Sequence, residues 1–244
     1  MRLGSGLRAV VLLAGLAAAA APRRAAAAAP TPTADAQPHA AAAKGDDATA
    51  HHAFDDVKHW SQVFDDPARD AWQKPHAVVA ALGLAPGATV VDLGAGTGYF
   101  AKDLSAAVGA RGAVLAADTE PALVAHLRAR AEREGLANLV PILASADNPR
   151  LPAAGADVVL IVDTYHHIDD RVAYLRRLKD ALKPSGRVAV VDWQKRDLPV
   201  GPELAHKLAR EQVIDEMSRA GYRLTAEPEL LPYQYFLIFT PADG

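Results

Sequence analysis

The sequence predicts a doubly wound α/β domain, in which helices cover both faces of a mostly parallel sheet. Two features of the chain from about residue 88 onward point there. Short runs that are apolar throughout alternate with longer amphipathic stretches, and the first run opens directly into a glycine-rich turn. Strands apolar along their whole length belong in a sheet buried on both sides, which is what crossover helices provide.

The first strand is Thr89–Leu93 (TVVDL), followed by a helix over Ala101–Val108. Ala113–Ala117 (AVLAA) is the second strand. Pro121–Glu134 (PALVAHLRARAERE) then reads as a strong helix with proline in its first turn. Leu139–Leu143 and Asp157–Val162 (DVVLIV) are the third and fourth strands. Val172–Leu182 is a helix stopped by Lys183-Pro184-Ser185-Gly186, and Arg187–Asp192 (RVAVVD) is the fifth strand. A helix near Arg210–Ala220 and a final strand, Leu231–Thr240, close the pattern. Ahead of it, Phe54–Leu82 reads as two helices rich in aromatic residues, an N-terminal helical cap within residues 51–84 on a main domain of residues 85–244.

Residues 1–29 have a different character. Arg2 and Arg8 precede an apolar run from Ala9 to Ala21, and small residues suited to cleavage follow, which is the layout of a secretory signal peptide. The run is shorter than the roughly 20 residues a bilayer span needs, so no stable span is expected after cleavage. A working leader implies export to the periplasm or beyond; without it the protein stays in the cytoplasm. Residues 30–50 mix Pro, Ala, Thr and Asp without periodicity and read as a disordered linker.

The chain carries a net charge of −3, and its first 30 residues contain four arginines and no acid. The remainder holds 22 basic and 29 acidic residues, which disfavours nucleic acid as a partner and favours a small molecule. Cysteine is absent, which excludes disulfides, thiolate metal sites and a cysteine nucleophile.

The most informative segment is Val90–Phe100, VVDLGAGTGYF. Ligands of open α/β sheets bind beyond the carboxyl ends of the strands. Gly94 permits the tight turn, Gly96 allows close approach to the backbone, and amides at the start of the next helix can hold a carboxylate. Dinucleotide enzymes space these glycines G-x-G-x-x-G, whereas here Asp92 opens a D-x-G-x-G-x-G run ending at Gly98. VVDLGAGTG resembles the first motif of class I, Rossmann-like S-adenosylmethionine-dependent methyltransferases. The resemblance covers roughly residues 70–240 and implies that the last strand returns antiparallel. The cap segment, with RDAWQKP at 69–75, resembles that of leader-bearing bacterial methyltransferase-domain proteins.

The resemblance also assigns roles. Asp118, after the second strand, would accept both ribose hydroxyls, with Thr119 beside it. Asp147, in SADN after the third strand, would meet the adenine amino group. Asp92 would organise the methionine end near its ammonium, and Gly94, Ala95, Gly96 and Gly98 would form the backbone cradle. Each acid taken singly also reads as a helix cap or a solvated loop residue.

The methyl acceptor belongs near Asp163-Thr164-Tyr165-His166-His167, after the fourth strand. His166 or His167 could deprotonate a phenol, a hydroxyl or an acidic carbon, and Asp163 could hold a substrate amine. Packing and helix capping explain the same residues without chemistry. Adjacent histidines diverge, so no metal site is predicted. Asp192-Trp193-Gln194-Lys195 offers a mixed polar and aromatic face to the same cleft, and Trp60, Phe64, Arg69, Trp72 and Gln73 could close over it or pack on the sheet edge. Two other readings share the fold: an oxidoreductase using a nicotinamide cofactor, and a non-catalytic module that binds an adenosyl ligand.

Overall fold

A computed structural model describes residues 56–242. The expected signal peptide and linker lie outside the described residues, as do the first residues of the expected cap. No helix among the described residues is long and apolar enough to cross a membrane.

Helices α1 (Val57–Phe64), α2 (Asp70–Gln73) and α3 (Pro75–Ala81) precede β1 (Thr89–Leu93). Then come α4 (Ala101–Val108), β2 (Ala113–Asp118), α5 (Pro121–Glu134), β3 (Leu139–Leu143), β4 (Ala156–Val162), α6 (Arg171–Lys179) and β5 (Leu182–Trp193). The chain finishes with α7 (Arg210–Arg219), β6 (Tyr222–Ala226) and β7 (Gln234–Pro241). The seven strands form one sheet in the order β3-β2-β1-β4-β5-β7-β6. Strands β1 to β5 pair in parallel, and β7 runs antiparallel to both β5 and β6.

Alternate residues of each strand feed two cores. Val90, Val114, Leu160 and Val191 pack with Val78, Val79 and Leu82 around α3, with Leu104 and Val108 of α4, and with Leu127 of α5. On the opposite face Val91, Leu115, Ile161 and Val190 pack with Leu175 and Leu178 of α6 and Val213 and Met217 of α7. Helices therefore change face where strand order reverses, between β1 and β4. Loops diverge there and leave a crevice at the carboxyl ends of the strands.

Three expectations need correction. Lys183–Gly186 does not separate α6 from the fifth strand. The helix ends at Lys179, and β5 already pairs at Leu182 with Ala156. The next pair is Val158 with Arg187, so Asp157 alone faces the four residues 183–186, which bulge from the ladder. Asp157 fastens the bulge, accepting the Lys183 ammonium at 2.6 Å and the Thr89 amide at 2.7 Å. The strand β6 lay outside the expected pattern. Finally, three α-helices rather than two precede β1, and α3 lays Val78 and Val79 in the core beside α4.

Candidate active site

The glycine turn is shaped by its neighbours as much as by any ligand. Gly94 has φ +76°, in the left-handed region, and a Cβ there would overlap the Thr164 hydroxyl and methyl. Gly94 is thus the packing surface for the loop after β4. Gly94→Ala should cost about 2–4 kcal/mol, from backbone strain plus overpacking. The added change Thr164→Ala should recover only the packing share, as read by chemical denaturation of both variants. Gly96, at φ +57°, lies under the cap: a Cβ there would stand 3.5 Å from the Phe64 ring.

Asp118 holds this turn in place. One carboxylate oxygen accepts the Gly96 amide at 2.8 Å, and the other accepts the Glu120 amide at 3.0 Å. Each oxygen keeps a second lone pair for a hydroxyl. Burial, against the pull of the Glu120, Gly96 and Thr119 amides, leaves its carboxyl above the usual range.

Asp92 has no such partners. It is 4% exposed, its carboxylate accepts no hydrogen bond from any described residue, and the carboxylate oxygens are not among the fully buried unpartnered atoms, so they open onto the crevice. Burial first, and the Asp118 charge second, push its carboxyl up to about 7, while Arg69 pulls the other way. A buried carboxylate without a donor is costly, and a ligand ammonium would supply the missing charge. Of the remaining residues expected at this end, Ala95 is buried within the turn and Thr119 is exposed after β2. Gly98 packs on α5, where a Cβ would lie 2.8 Å from Leu127 Cδ2. Asp147 sits in the exposed loop after β3, where it accepts the Ser145 hydroxyl at 2.9 Å. No described hydrogen bond links it to Asp92 or Asp118.

The cap is bolted across this turn by charge. Asp65, at the end of α1, accepts the Thr97 hydroxyl at 2.9 Å and the Arg130 guanidinium at 3.1 and 3.2 Å. The same Arg130 nitrogen donates to the Thr97 carbonyl at 3.0 Å. Sequence reading missed Asp65 and Arg130. They stand 65 positions apart, and only the loop after β1 brings them together.

A second set of ties joins the cap to β4 and β7. Asp163 accepts Arg69 on one oxygen at 3.0 Å and the Gln234 amide on the other. Gln73 donates to Gln234 at 2.8 Å and accepts Arg69 at 3.0 Å, which closes a four-residue ring. Asp163 has φ +52°, uncommon for a residue with a side chain. Burial pushes its carboxyl up to about 6 against the opposing pull of Arg69. In this arrangement both of its oxygens serve the docking of the cap, each with one donor. Arg69→Ala should leave Asp163 buried without its cation, and limited proteolysis should then cut near α1 faster than in the parent protein.

His166 and His167 follow Asp163 in a 3₁₀ turn, Tyr165–His167. His167 is exposed, and its ring lies 4.1 Å from that of His166. The side chain of His166 is 5% exposed, and its Nδ1 lies 2.9 and 3.0 Å from the two oxygens of Asp192. Asp192, at the end of β5, is 1% exposed and also accepts the His166 and Trp193 amides at 3.2 and 2.8 Å. Thus Asp192 faces inward. Trp193 is core as well, with Trp72 packed against it at 5.2 Å and Gly201 against its ring. Of the expected polar face only Gln194 and Lys195 reach the surface.

Residues 90–186 match the family model of the methyltransferase domain, and that segment carries the glycine turn, Asp92, Asp118, Asp147, Asp163 and His166. The matched segment and the fold make the chain similar to the class I methyltransferases. It is similar to an S-adenosylmethionine-dependent methyltransferase from Aquifex aeolicus, 27% identical with a TM-score of 0.72, over 75% of this chain and 97% of that one. A TehB-like S-adenosylmethionine-dependent methyltransferase from Corynebacterium glutamicum shares the fold at 15% identity and a TM-score of 0.57, over 76% of this chain and 97% of that one. Aklanonic acid methyltransferase DauC of Streptomyces sp. (strain C5) is 32% identical over 82 residues, 34% of this chain. The match spans 37% of that relative's length. The residues present fit an adenosyl cofactor: the Asp92 carboxylate lacks a hydrogen-bond donor, Asp118 keeps free lone pairs, and Gly96 adds no side chain of its own to the turn beneath Phe64.

Proposed function

We propose that this methyltransferase takes S-adenosylmethionine as methyl donor and a small molecule as acceptor. The observation that carries the reading is Asp92, a buried carboxylate with no donor, beside an Asp118 already fixed on the glycine turn. Asp92 would take the methionine ammonium and Asp118 the ribose hydroxyls, and the loop bearing Asp147 would take the adenine. The bound sulfonium supplies an electrophilic methyl. The protein's own part is to align an acceptor lone pair with it and to keep water out.

The cap suits the second task. Phe64 covers Gly96, and the Asp65–Arg130 and Arg69–Asp163 pairs hold α1 and α2 across the strand ends. The acidic balance of the chain supports a small acceptor, as does its likeness to the aklanonic acid methyltransferase of Streptomyces. The test is formation of S-adenosylhomocysteine from S-adenosylmethionine when the full chain is offered small-molecule, protein and nucleic-acid acceptors in parallel. Turnover with small molecules supports the reading. Turnover confined to the macromolecules refutes the acceptor class.

Cofactor affinity should depend on pH with a defined sign. With its carboxyl raised to about 7, Asp92 is mostly protonated at pH 6 and must ionise to receive an ammonium. Affinity should therefore be weaker by about eightfold at pH 6 than at pH 7.5, the ratio of the ionised fractions. In the cofactor-free protein the same raised group stabilises most in acid. That contribution fades as pH climbs from about 4 through 7, because the unfolded chain gives up the proton first. Titrations of S-adenosylhomocysteine at several pH values, repeated on Asp92→Asn, check this; the variant should bind weakly without the pH dependence.

A further inference from the structure

His166 is built as a base rather than as a filler of the core. Its Nδ1 is claimed by both oxygens of Asp192, and those oxygens are themselves pinned by two backbone amides. An acceptor-only carboxylate at 2.9 Å requires Nδ1 to carry the proton. Nε2 is then the basic nitrogen of the neutral ring, and it has no hydrogen-bond partner among the described residues. Yet it is not among the buried unpartnered polar atoms of the structure, so it opens onto accessible space.

Its position is also informative. The turn bearing His166 begins with Thr164, which packs on Gly94 of the glycine turn, and it follows the end of β4, the strand that lies between β1 and β5. Behind it the turn is anchored. Tyr165 donates to Glu216 of α7 at 3.0 Å, and Arg171 of α6 clamps Glu216 at 2.7 and 3.0 Å. The charged groups facing the ring are Asp192 from β5, Asp163 from the end of β4 and Arg171 from α6, and the titratable ring of His167 lies beside it. Arg171 spends its charge on Glu216, so the carboxylates prevail. Burial lowers the affinity of His166 for a proton, but Asp192 and Asp163 more than offset that and leave it above the usual value.

We propose that His166, oriented by Asp192, is the general base of this site and that the acceptor is a phenolic or enolic hydroxyl. The proposal rests on the methyltransferase reading above. As the acceptor oxygen forms its bond to the methyl carbon, its proton passes to Nε2, and the electron pair of the breaking carbon–sulfur bond stays on sulfur. The imidazolium then returns the proton to water. Other acceptor classes give such a base little to do. A carboxylate is already ionised at neutral pH, and a neutral amine attacks with its free lone pair. An aliphatic alcohol holds its proton too tightly for an imidazole. A phenol at about 10 lies within reach.

Two readouts test this on the full chain. Nitrogen NMR of histidine-labelled protein, assigned with His166→Gln, should show Nδ1 protonated from about pH 6 to about pH 9 while Nε2 titrates above the usual imidazole value. Transfer from S-adenosylmethionine to phenols of graded acidity should then fall by about 10²-fold or more in His166→Gln for weakly acidic phenols. It should fall far less for nitrophenols that are ionised already. Cofactor titration and thermal melting of the same variant should stay close to the parent. Equal loss across the phenol series, Nδ1 titrating in place of Nε2, or transfer confined to amines or carboxylic acids would each overturn the proposal. So would a protein that binds cofactor but methylates none of the phenols. A folded protein that binds no cofactor would instead refute the methyltransferase reading, and this proposal with it.

Discussion

Asp118→Ala is expected to abolish measurable binding of an adenosyl cofactor at ordinary concentrations. Two hydroxyl donors to a buried carboxylate contribute about 1.5–3 kcal/mol each. Losing both weakens affinity by at least about 10²-fold. The variant also frees the Gly96 and Glu120 amides that Asp118 accepts, so the cradle itself loosens. Asp118→Asn separates the two effects. It keeps the shape and can still accept one amide, so its fold should be close to the parent while affinity still drops. Calorimetric titration of S-adenosylhomocysteine into both variants, with thermal melting as the control, reads the difference.

A large loss of stability is also expected at a distance from the glycine turn, in Glu216→Ala. Glu216 is 8% exposed and takes hydrogen bonds from Tyr165, Arg171 and Gln212. Removing it strands a guanidinium and a phenol in the space between α6, α7 and the turn that carries His166. Breaking one side of a buried ion pair costs about 3–5 kcal/mol. The Arg171 side chain keeps 19% exposure, so the lower end, about 3 kcal/mol, is expected. Glu216→Gln retains acceptors and should lose less. Urea denaturation should show the midpoint moving with an unchanged slope.

How much of this was legible in the sequence depended on how local the cause is. The helix Pro121–Glu134 was readable from end to end, because proline sets its first turn and Gly135, at φ +67°, ends it. The strand Leu139–Leu143 was equally plain between two turns. Residues 183–186 were misread, since Lys-Pro-Ser-Gly carries turn chemistry whether it stops a helix or bulges a strand. What decided the matter was the pairing of Leu182 with Ala156, which is a long-range fact. The edge strand β6 escaped notice because it is short and mostly exposed, with only Tyr222 buried.

The site divides along the same line. Asp92, the three glycines and Asp118 share one turn and the strand end beside it, so a local motif exposes them. The pair of His166 and Asp192 is 26 positions apart, and the residue types alone gave no sign that one grips the other. The cap ring of Arg69, Gln73, Asp163 and Gln234 is more scattered still, with 161 positions between Gln73 and Gln234. Polar side chains that meet only through sheet order leave no periodic trace in a sequence.

The central claim is that the crevice beyond β1 and β2 holds an adenosyl-methionine ligand on Asp92 and Asp118. Calorimetric titration of S-adenosylhomocysteine into the folded full chain, with NADH titrated in parallel, tests it most directly. Micromolar binding of the homocysteine ligand, proton release at pH 6 and no heat from NADH are the predicted results. A folded protein that ignores S-adenosylhomocysteine, or that binds NADH in its place, would contradict the account.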